Sequence, residues 1–395
     1  MRNSRLMSAL MAMGILTGVT SCFKDEPLNA ECDIEQAYIH AGDNLDSWFL
    51  FDSDTLKYVQ SDQNKIEFTM SGTADLTQIA PLFRLTPGAT ISPANGSVHD
   101  FTKGSVKYTV TSEDGKWTRI YFVSIKKMLD FGREHEFNFE NCYQDKGYYI
   151  WTEPWKGSNG KTTKEPIWAT GNPGYKISNS STAAENYPTS PLEEGYEGNG
   201  VKLTTSRTSG LADMVQKPIA AGNLFIGQFD PSNALQDAMS ATKFGRPFSF
   251  EAPPKTLTGY YKYKAGETFT DKYMHVLDQK DYGTIYAVLY DNHNAKGEAV
   301  LLYGNNVQTS DQVVALAVLD NIDNTPEWTP FTLNFVYCKS VDMKKLKTGG
   351  YSLTVVCSSS TNGAEFMGAV GSTLWVDKFK VTCEDNSDSR VEDIR

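Results

Sequence analysis

The chain has 395 residues, of which 40% are hydrophobic and 12% aromatic, so it has enough apolar material for two or three domains, each with its own core. The formal net charge is −11, and this acidic balance argues against a nucleic-acid partner, because binding phosphates requires clustered Lys and Arg. It does not argue against a neutral sugar.

The first residues have the pattern of a secretory signal. Arg2 and Arg5 give a positive start, and residues 6–19 are almost wholly apolar but too few to cross a bilayer, which takes about 20 apolar residues. We therefore predict a signal peptide over residues 1–21. The four residues that end in Cys22, VTSC, resemble a bacterial lipobox, which implies cleavage before Cys22 and lipidation of its thiol. The alternative is an ordinary secretory peptide with a chance cysteine.

A short tether, residues 22–31, follows the predicted cleavage site. Lys24, Asp25 and Glu26 resemble the signal that carries Bacteroidetes lipoproteins to the outer face of the outer membrane. Several acyl chains on one cysteine give stable anchoring, whereas a single chain is marginal. The resemblance implies a lipid-anchored outer membrane protein that faces the cell exterior.

Residues 32–127 are predicted to form one small β domain. Its clearest signal is the stretch VKYTVTSEDGKWTRIYFVSIKK, in which two alternating apolar runs flank Asp114-Gly115. Asp-Gly between such runs predicts a β-hairpin. The stretch resembles the closing hairpin of bacterial immunoglobulin-like domains, which implies a spacer domain.

Residues 128–384 are predicted to form a larger β domain. Short runs rich in Val, Leu, Tyr and Phe alternate with Gly, Pro, Asn and Asp, which is typical of a two-sheet sandwich or jelly roll. Residues 231–242 are the one short helix we predict, and residues 385–395 are a polar tail. The predicted fold is therefore all-β, with an N-terminal immunoglobulin-like sandwich followed by a larger β-jelly-roll sandwich.

The larger domain also resembles a known family. The stretch KFGRPFSFEAPPKTLTGYYKYKAGE (243–267) resembles the central motif of the putative carbohydrate metabolism domain of Bacteroidetes lipoproteins, and WATGNPGY and TLWVDKFKV fit the same family. The resemblance implies a jelly roll on the cell surface that takes part in glycan use. It supplies no catalytic residues.

Catalysis is the less favoured interpretation of this sequence. Glycoside hydrolysis generally needs two carboxyl groups at a defined separation. Candidates exist, but no two form a glycosidase motif: Glu140, Glu153, Glu165, Glu251, Asp278, Asp281 and Asp291. No GxSxG elbow, HExxH helix or phosphate-binding glycine loop is present either. Catalytic residues therefore stay unassigned.

One pair of carboxylates suggests a structural ion. FNFEN opens the larger domain and LWVDKF closes it, an arrangement similar to calcium-bearing jelly-roll carbohydrate-binding modules. Ca²⁺ takes six to eight oxygen ligands, and Glu140 and Asp377 could supply two or more. The alternative is that Asp377 caps a turn and Glu140 is a solvated edge residue.

Aromatic residues crowd the segment 148–197, which is otherwise polar and shows little strand pattern. Sugar rings pack their C–H faces on Trp and Tyr, so this segment is the predicted glycan-binding loop. The residues predicted to bind the glycan are Trp151, Trp155, Trp168 and Tyr175. The alternative is that these side chains pack the loop onto the sandwich.

The strand GYYKYK is predicted to lie behind that loop. Tyr261 and Tyr263 alternate with Tyr260 and Lys262, and one set must enter the core. We predict that Tyr261 and Tyr263 do so, which leaves Tyr260 and Lys262 for the ligand.

The five cysteines beyond Cys22 leave at least one thiol free or intermolecular, and one disulfide is possible. They are Cys32, Cys142, Cys338, Cys357 and Cys383.

Three functions remain open on sequence alone. The first is a glycan binder that serves polysaccharide capture, with an oligo- or polysaccharide and other uptake proteins as partners. The second is a glycoside hydrolase or lyase on the same jelly roll. The third is a structural or adhesive surface protein. A groove without facing carboxylates favours the first function, and a groove with two favours the second.

Overall fold

The fold is almost entirely β structure, as predicted. The computed structural model describes residues 27–42, 48–49, 52–72, 74–156, 162–234 and 236–385. The predicted signal peptide, the lipobox cysteine and most of the predicted tail lie outside these residues. No helix among the described residues is long and apolar enough to cross a membrane.

The N-terminal domain consists of two small sheets. Its strands are β1 (Ile34–Ile39), β2 (Leu56–Tyr58), β3 (Lys65–Met70), β4 (Pro81–Leu85), β5 (Thr90–Ser92), β6 (Val106–Thr111) and β7 (Thr118–Lys127). One sheet has the order β2-β1-β4 and the other β3-β7-β6-β5. Buried side chains from both sheets form one core, with Ala37, Phe68 and Tyr108 fully enclosed.

The predicted hairpin is confirmed. Strands β6 and β7 pair antiparallel from Val106↔Val123 to Thr111↔Thr118. In the turn, the Ser112 hydroxyl donates to Asp114 Oδ1 at 2.6 Å, and Gly115 adopts φ +69°, a conformation that glycine reaches without strain.

The described residues of the larger domain form the remaining strands and four short helices. The first strands are β8 (Leu129–Gly132), β9 (Glu134–Phe137), β10 (Cys142–Asp145), β11 (Tyr148–Trp151), β12 (Glu153–Lys156), β13 (Thr162–Glu165), β14 (Trp168–Ala169), β15 (Thr189–Leu192), β16 (Gly200–Thr204), β17 (Ser206–Arg207), β18 (Ile219–Ala220) and β19 (Asn223–Phe229). They are followed by β20 (Thr242–Phe244), β21 (Arg246–Phe250), β22 (Pro254–Lys264), β23 (Phe269–Thr270), β24 (Gly283–Asp291), β25 (Leu302–Tyr303), β26 (Val313–Ile322), β27 (Thr325–Asn334), β28 (Val336–Tyr337), β29 (Tyr351–Ser358), β30 (Gly368–Ala369) and β31 (Thr373–Cys383). The helices are α1 (Asn172–Ser178), α2 (Leu211–Met214), α3 (Ala238–Ala241) and α4 (Met343–Thr348).

Two sheets form the sandwich of the larger domain. The ten-stranded sheet follows the order β25-β20-β19-β29-β24-β26-β28, with β14, β21 and β8 attached, and the six-stranded sheet follows β15-β16-β31-β22-β27, with β9 attached. Side chains from both sheets meet in one main core, for example Val355 of β29 and Val376 of β31. The predicted helix over 231–242 is only partly present, as α3 after a short 3-10 turn at Pro231–Asn233.

Strand β24 shows why a second apolar cluster exists outside this core. Its sequence GTIYAVLYD is buried along nearly its whole length. Ile285, Ala287 and Leu289 enter the main core, whereas Tyr286 and Val288 point to the other side of the sheet, where they join Phe225. A strand that is covered on both faces reads as a continuous apolar run, so loops must cover the outer face here.

The five cysteines in the described residues are all unpaired. Cys357 and Cys383 are buried, and burial raises the pKa of the Cys383 thiol to about 12. They act as small apolar side chains rather than as reactive thiols.

Candidate functional site

A cavity of about 440 Å³ lies on the outer face of the ten-stranded sheet. Its floor comes from three neighbouring strands, through Phe225 of β19, Tyr286 of β24 and Val356 of β29. Its walls come from α1, from the segment around Lys217 and from the loops at 304–309 and 360–366. The volume falls in the range of sites that hold small ligands.

Hydrogen-bonding groups stand among the apolar lining. At one end, the Thr284 hydroxyl donates to Asp320 Oδ1 at 2.7 Å, and Asp320 is exposed. Asn223 and Gln308 add amide groups. Hydroxyls, amides and a carboxylate set among aromatic rings are the groups that recognise a sugar, whose ring offers C–H faces and hydroxyls together.

The opposite wall contains a lysine and an aromatic ring in contact. Lys217 Nζ donates to the carbonyl oxygen of Ala234 at 3.0 Å and lies 5.3 Å from the centre of the Phe366 ring. Burial lowers the pKa of Lys217 from its ordinary value. Phe366 has φ +60°, a left-handed conformation that is unusual for an aromatic residue and that concentrates at functional sites.

A buried polar network supports the wall behind Phe366. Asp281 is 1% exposed and accepts hydrogen bonds from the Ser360 and Ser372 hydroxyls, at 2.6 and 2.7 Å, and from the Ala369 N–H at 2.7 Å. Burial raises the pKa of Asp281. The Tyr282 N–H donates to its other oxygen at 3.0 Å. Because the other three donors come from the 360–372 segment, Asp281 fixes the shape of this wall.

No facing pair of carboxylates is present among the described residues of the cavity lining, where Asp320 is the one acidic side chain. Glu153 lies in the core instead: it is 1% exposed, accepts a hydrogen bond from Trp168 Nε1 at 2.9 Å, and burial raises its pKa to about 7. The lining described here thus supplies one of the two carboxyl groups that glycoside hydrolysis generally uses.

The predicted stacking role of three tryptophans needs correction. Trp151, Trp155 and Trp168 are 1%, 2% and 4% exposed and belong to the main core, so their faces contact protein rather than solvent. Trp155 stacks on His135 with ring centres 3.8 Å apart. The segment 148–197 is not a long open loop, because its described residues fold into β11 to β15 and α1, and β14 and β15 belong to the two main sheets.

Tyr175 is the predicted loop aromatic that reaches the cavity. It lies on α1, lines the cavity wall, and its hydroxyl donates to the Arg207 carbonyl at 3.2 Å. It is 8% exposed, so only an edge of the ring is open to a ligand.

The facing predicted for the GYYKYK strand is confirmed. Tyr263 is 1% exposed and Tyr261 packs against the main core. Tyr260 and Lys262 lie on the outer face of the six-stranded sheet, where Tyr260 stacks on Tyr196 with ring centres 3.5 Å apart. This face is on the far side of the sandwich from the cavity, so the 148–197 segment and this strand do not enclose one common site.

We call this outer surface the aromatic platform; it consists of Tyr196, Tyr260, Lys262, Trp328 and Trp375. Lys262 Nζ lies 4.8 Å from the ring centre of Trp328 and 5.6 Å from that of Trp375. Sequence reasoning missed both tryptophans. The alternation in TLWVDKF could have predicted one of them, because Leu374 and Val376 are buried and Trp375, between them, points to the opposite face.

Glu140 and Asp377, the predicted ion ligands, are brought to the same loop between β15 and β16. The Asn199 backbone N–H donates to Glu140 Oε2 at 3.1 Å, and the Glu197 N–H donates to Asp377 Oδ2 at 3.0 Å. Asp377 is fully buried, and this burial raises its pKa. Two carboxylates beside a loop rich in carbonyl oxygens suit Ca²⁺ by donor type. Within the described residues, however, no group of three or more acidic, His or Cys side chains could hold a metal.

Comparison with known proteins gives matches to both domains. A family model described as "Putative carbohydrate metabolism domain" matches residues 138–382, and one described as "SGBP, N-terminal" matches residues 48–125. The second match does not confirm the predicted immunoglobulin-like domain. No curated protein matches the chain significantly.

Two solved structures resemble the chain over long stretches. A putative glycoside hydrolase from Bacteroides thetaiotaomicron is 36% identical, with a TM-score of 0.69 over 92% of this chain and 100% of that chain. A putative glycoside hydrolase from Bacteroides vulgatus is 39% identical, with a TM-score of 0.56 over 63% of this chain and 98% of that chain.

Proposed function

The chain belongs to the family defined by the putative carbohydrate metabolism domain, and from this premise we propose that it is a glycan-binding protein whose ligand enters the cavity on the ten-stranded sheet. The match of its N-terminal part to a domain of surface glycan-binding proteins supports the same function. The protein would capture an oligo- or polysaccharide for a polysaccharide-uptake system, in contact with other proteins of that system.

The cavity is the observation that carries this proposal. It combines aromatic rings, Tyr286 in the floor and Phe366 in the wall, with hydrogen-bonding groups at Asn223, Gln308 and Asp320. A sugar ring can pack its C–H face on the aromatic rings while its hydroxyls form hydrogen bonds with the polar side chains. A structural or adhesive protein would need no such concave, mixed surface.

The test is a glycan array with the whole mature protein, run in parallel with an assay for released reducing sugar. We expect selective binding to one glycan class and no release of reducing ends. Absence of binding to every glycan on a broad array would contradict the proposal and favour a structural role.

A second candidate is a glycoside hydrolase. It is supported by the description of two similar solved structures as putative glycoside hydrolases and by the exposed carboxylate of Asp320 at the cavity. Release of reducing sugar that disappears in the Asp320→Asn variant would favour this candidate over binding alone.

We further propose that Cys22 anchors the protein in the outer membrane, facing the exterior. The support is the lipobox-like VTSC and the Lys24-Asp25-Glu26 signal. Cys22→Ser should move the protein from the membrane fraction to the soluble fraction, because the acylated thiol is lost. Replacing residues 24–26 by alanine is the matched control: that variant should stay membrane-bound but become protected from external protease. Retention of Cys22→Ser in the membrane would contradict the anchor.

We also propose that Glu140 and Asp377 hold one structural Ca²⁺. The ion would fix the 195–199 loop to the last strand; its electrostatic role is to compensate the buried Asp377 carboxylate. A ligand that binds only the folded state raises stability by mass action, so a chelator should lower the melting temperature and added Ca²⁺ should restore it. The Asp377→Asn variant should show no such response. Equal melting temperatures with chelator and with Ca²⁺ would contradict the ion. The hydrogen bonds from the loop N–H groups would then be what holds the two carboxylates.

A further inference from the structure

The aromatic platform is a second open surface, separate from the cavity. Tyr196 is 45% exposed, and its ring stacks on Tyr260 with an interplanar angle of 10°. Trp328 meets Tyr196 edge to face, with ring centres 6.3 Å apart. Tyr and Trp side chains are usually buried, so a cluster of them on an outer sheet face indicates an interaction site.

Two lysines lie in the same row of this sheet. Lys202 of β16 is paired with Trp375 of β31, and Trp375 is paired with Lys262 of β22. Paired residues on neighbouring strands point to the same face, so both ammonium groups project beside the indole rings. Lys262 is held between Trp328 and Trp375 by cation–π contacts.

The charge of this row is opposite to that of the whole protein. The chain carries a net charge of −11, whereas within the described residues neither Lys202 nor Lys262 forms an ion pair. Glu197, the acidic side chain beside Tyr196, is paired with Lys378 at 3.7 Å. The platform therefore offers unpaired positive charge next to ring faces.

We propose that the aromatic platform binds an acidic polysaccharide, one whose sugar rings carry carboxylates. Ring faces of the sugar pack on Tyr196, Trp328 and Trp375, and Lys262 and Lys202 pair with the uronate groups. A neutral glycan would use the rings but not the lysines. This site is independent of the cavity because the two lie on opposite sheets.

The experiment compares two polymers with the same backbone, polygalacturonate and its methyl ester, by titration against the whole mature protein. We expect polygalacturonate to bind at least about tenfold more tightly than the ester, because the ester loses the charge-assisted hydrogen bonds. Its affinity should also fall as salt is raised, since exposed charges are screened.

Variants locate the site. Lys262→Met keeps an apolar stem against the indoles and should weaken polygalacturonate binding about tenfold, while Lys262→Arg should restore most of it. Lys272→Met is the matched control, since Lys272 also contacts an aromatic ring, Tyr273, but lies off the platform; it should bind as the wild type does.

Three results would overturn the proposal: equal affinity for the polymer and its ester, no binding of either, or unchanged binding by Lys262→Met. The cavity is tested apart from the platform by Asp320→Ala, which should leave polygalacturonate binding intact. A failure of the cavity proposal therefore does not affect the test of the platform, and a failure of the platform proposal does not affect the test of the cavity.

Discussion

Replacing Asp320 with alanine is expected to weaken glycan binding at the cavity by roughly ten- to a hundredfold. The exposed carboxylate at the cavity end can accept hydrogen bonds from sugar hydroxyls, and a hydrogen bond to a charged group contributes about 1.5–3 kcal/mol. Titration calorimetry with the glycan found on the array measures the loss. Because Asp320 is exposed, and the Thr284 hydroxyl keeps the Leu319 carbonyl as an acceptor, its removal should change the melting temperature little.

Two further variants test whether Asp320 acts only in binding. Asp320→Asn keeps an acceptor oxygen and should lose less affinity than Asp320→Ala if the residue only binds. Asp311→Ala is the matched control, because Asp311 is exposed just before the same strand but does not line the cavity. Unchanged affinity in Asp320→Ala would contradict the role given to this carboxylate.

Replacing Trp155 with alanine is expected to lower the free energy of unfolding of the larger domain by about 3–5 kcal/mol. The indole is 2% exposed, stacks on His135 and on Phe248, and donates its N–H to the Asp130 carbonyl at 2.9 Å. The change would leave a large cavity and an unpaired carbonyl. Denaturant unfolding of the whole mature protein measures the effect.

Trp375→Ala is the matched control for this experiment. Trp375 is only half-buried and its ring is part of the aromatic platform on the outer sheet face, so its loss should cost much less stability. A Trp155→Ala protein that keeps wild-type stability and loses only glycan binding would mean that Trp155 is a ligand contact after all, as its sequence context first indicated.

The sequence by itself predicted features that depend on local pattern. The β6–β7 hairpin followed from alternation around Asp114-Gly115, because side chains of a strand alternate between faces and a short turn fixes the pairing. The inward facing of Tyr261 and Tyr263 followed from the same period of two. Glu140 and Asp377 both accept hydrogen bonds from N–H groups of the loop between β15 and β16, and the ion that they would hold stays a prediction.

The tertiary structure alone decided which aromatic residues are available. Trp168 and Trp375 both lie in short strand-like stretches, yet one is buried and the other borders solvent. Composition cannot separate them, because burial depends on what distant segments cover. Tyr286 likewise becomes a cavity floor only because the segments 172–178, 211–221 and 303–309 fold over the outer face of β24. Asp320 and Phe366 are 46 residues apart in the sequence and meet only around that cavity, since strand pairing across the ten-stranded sheet brings their segments together.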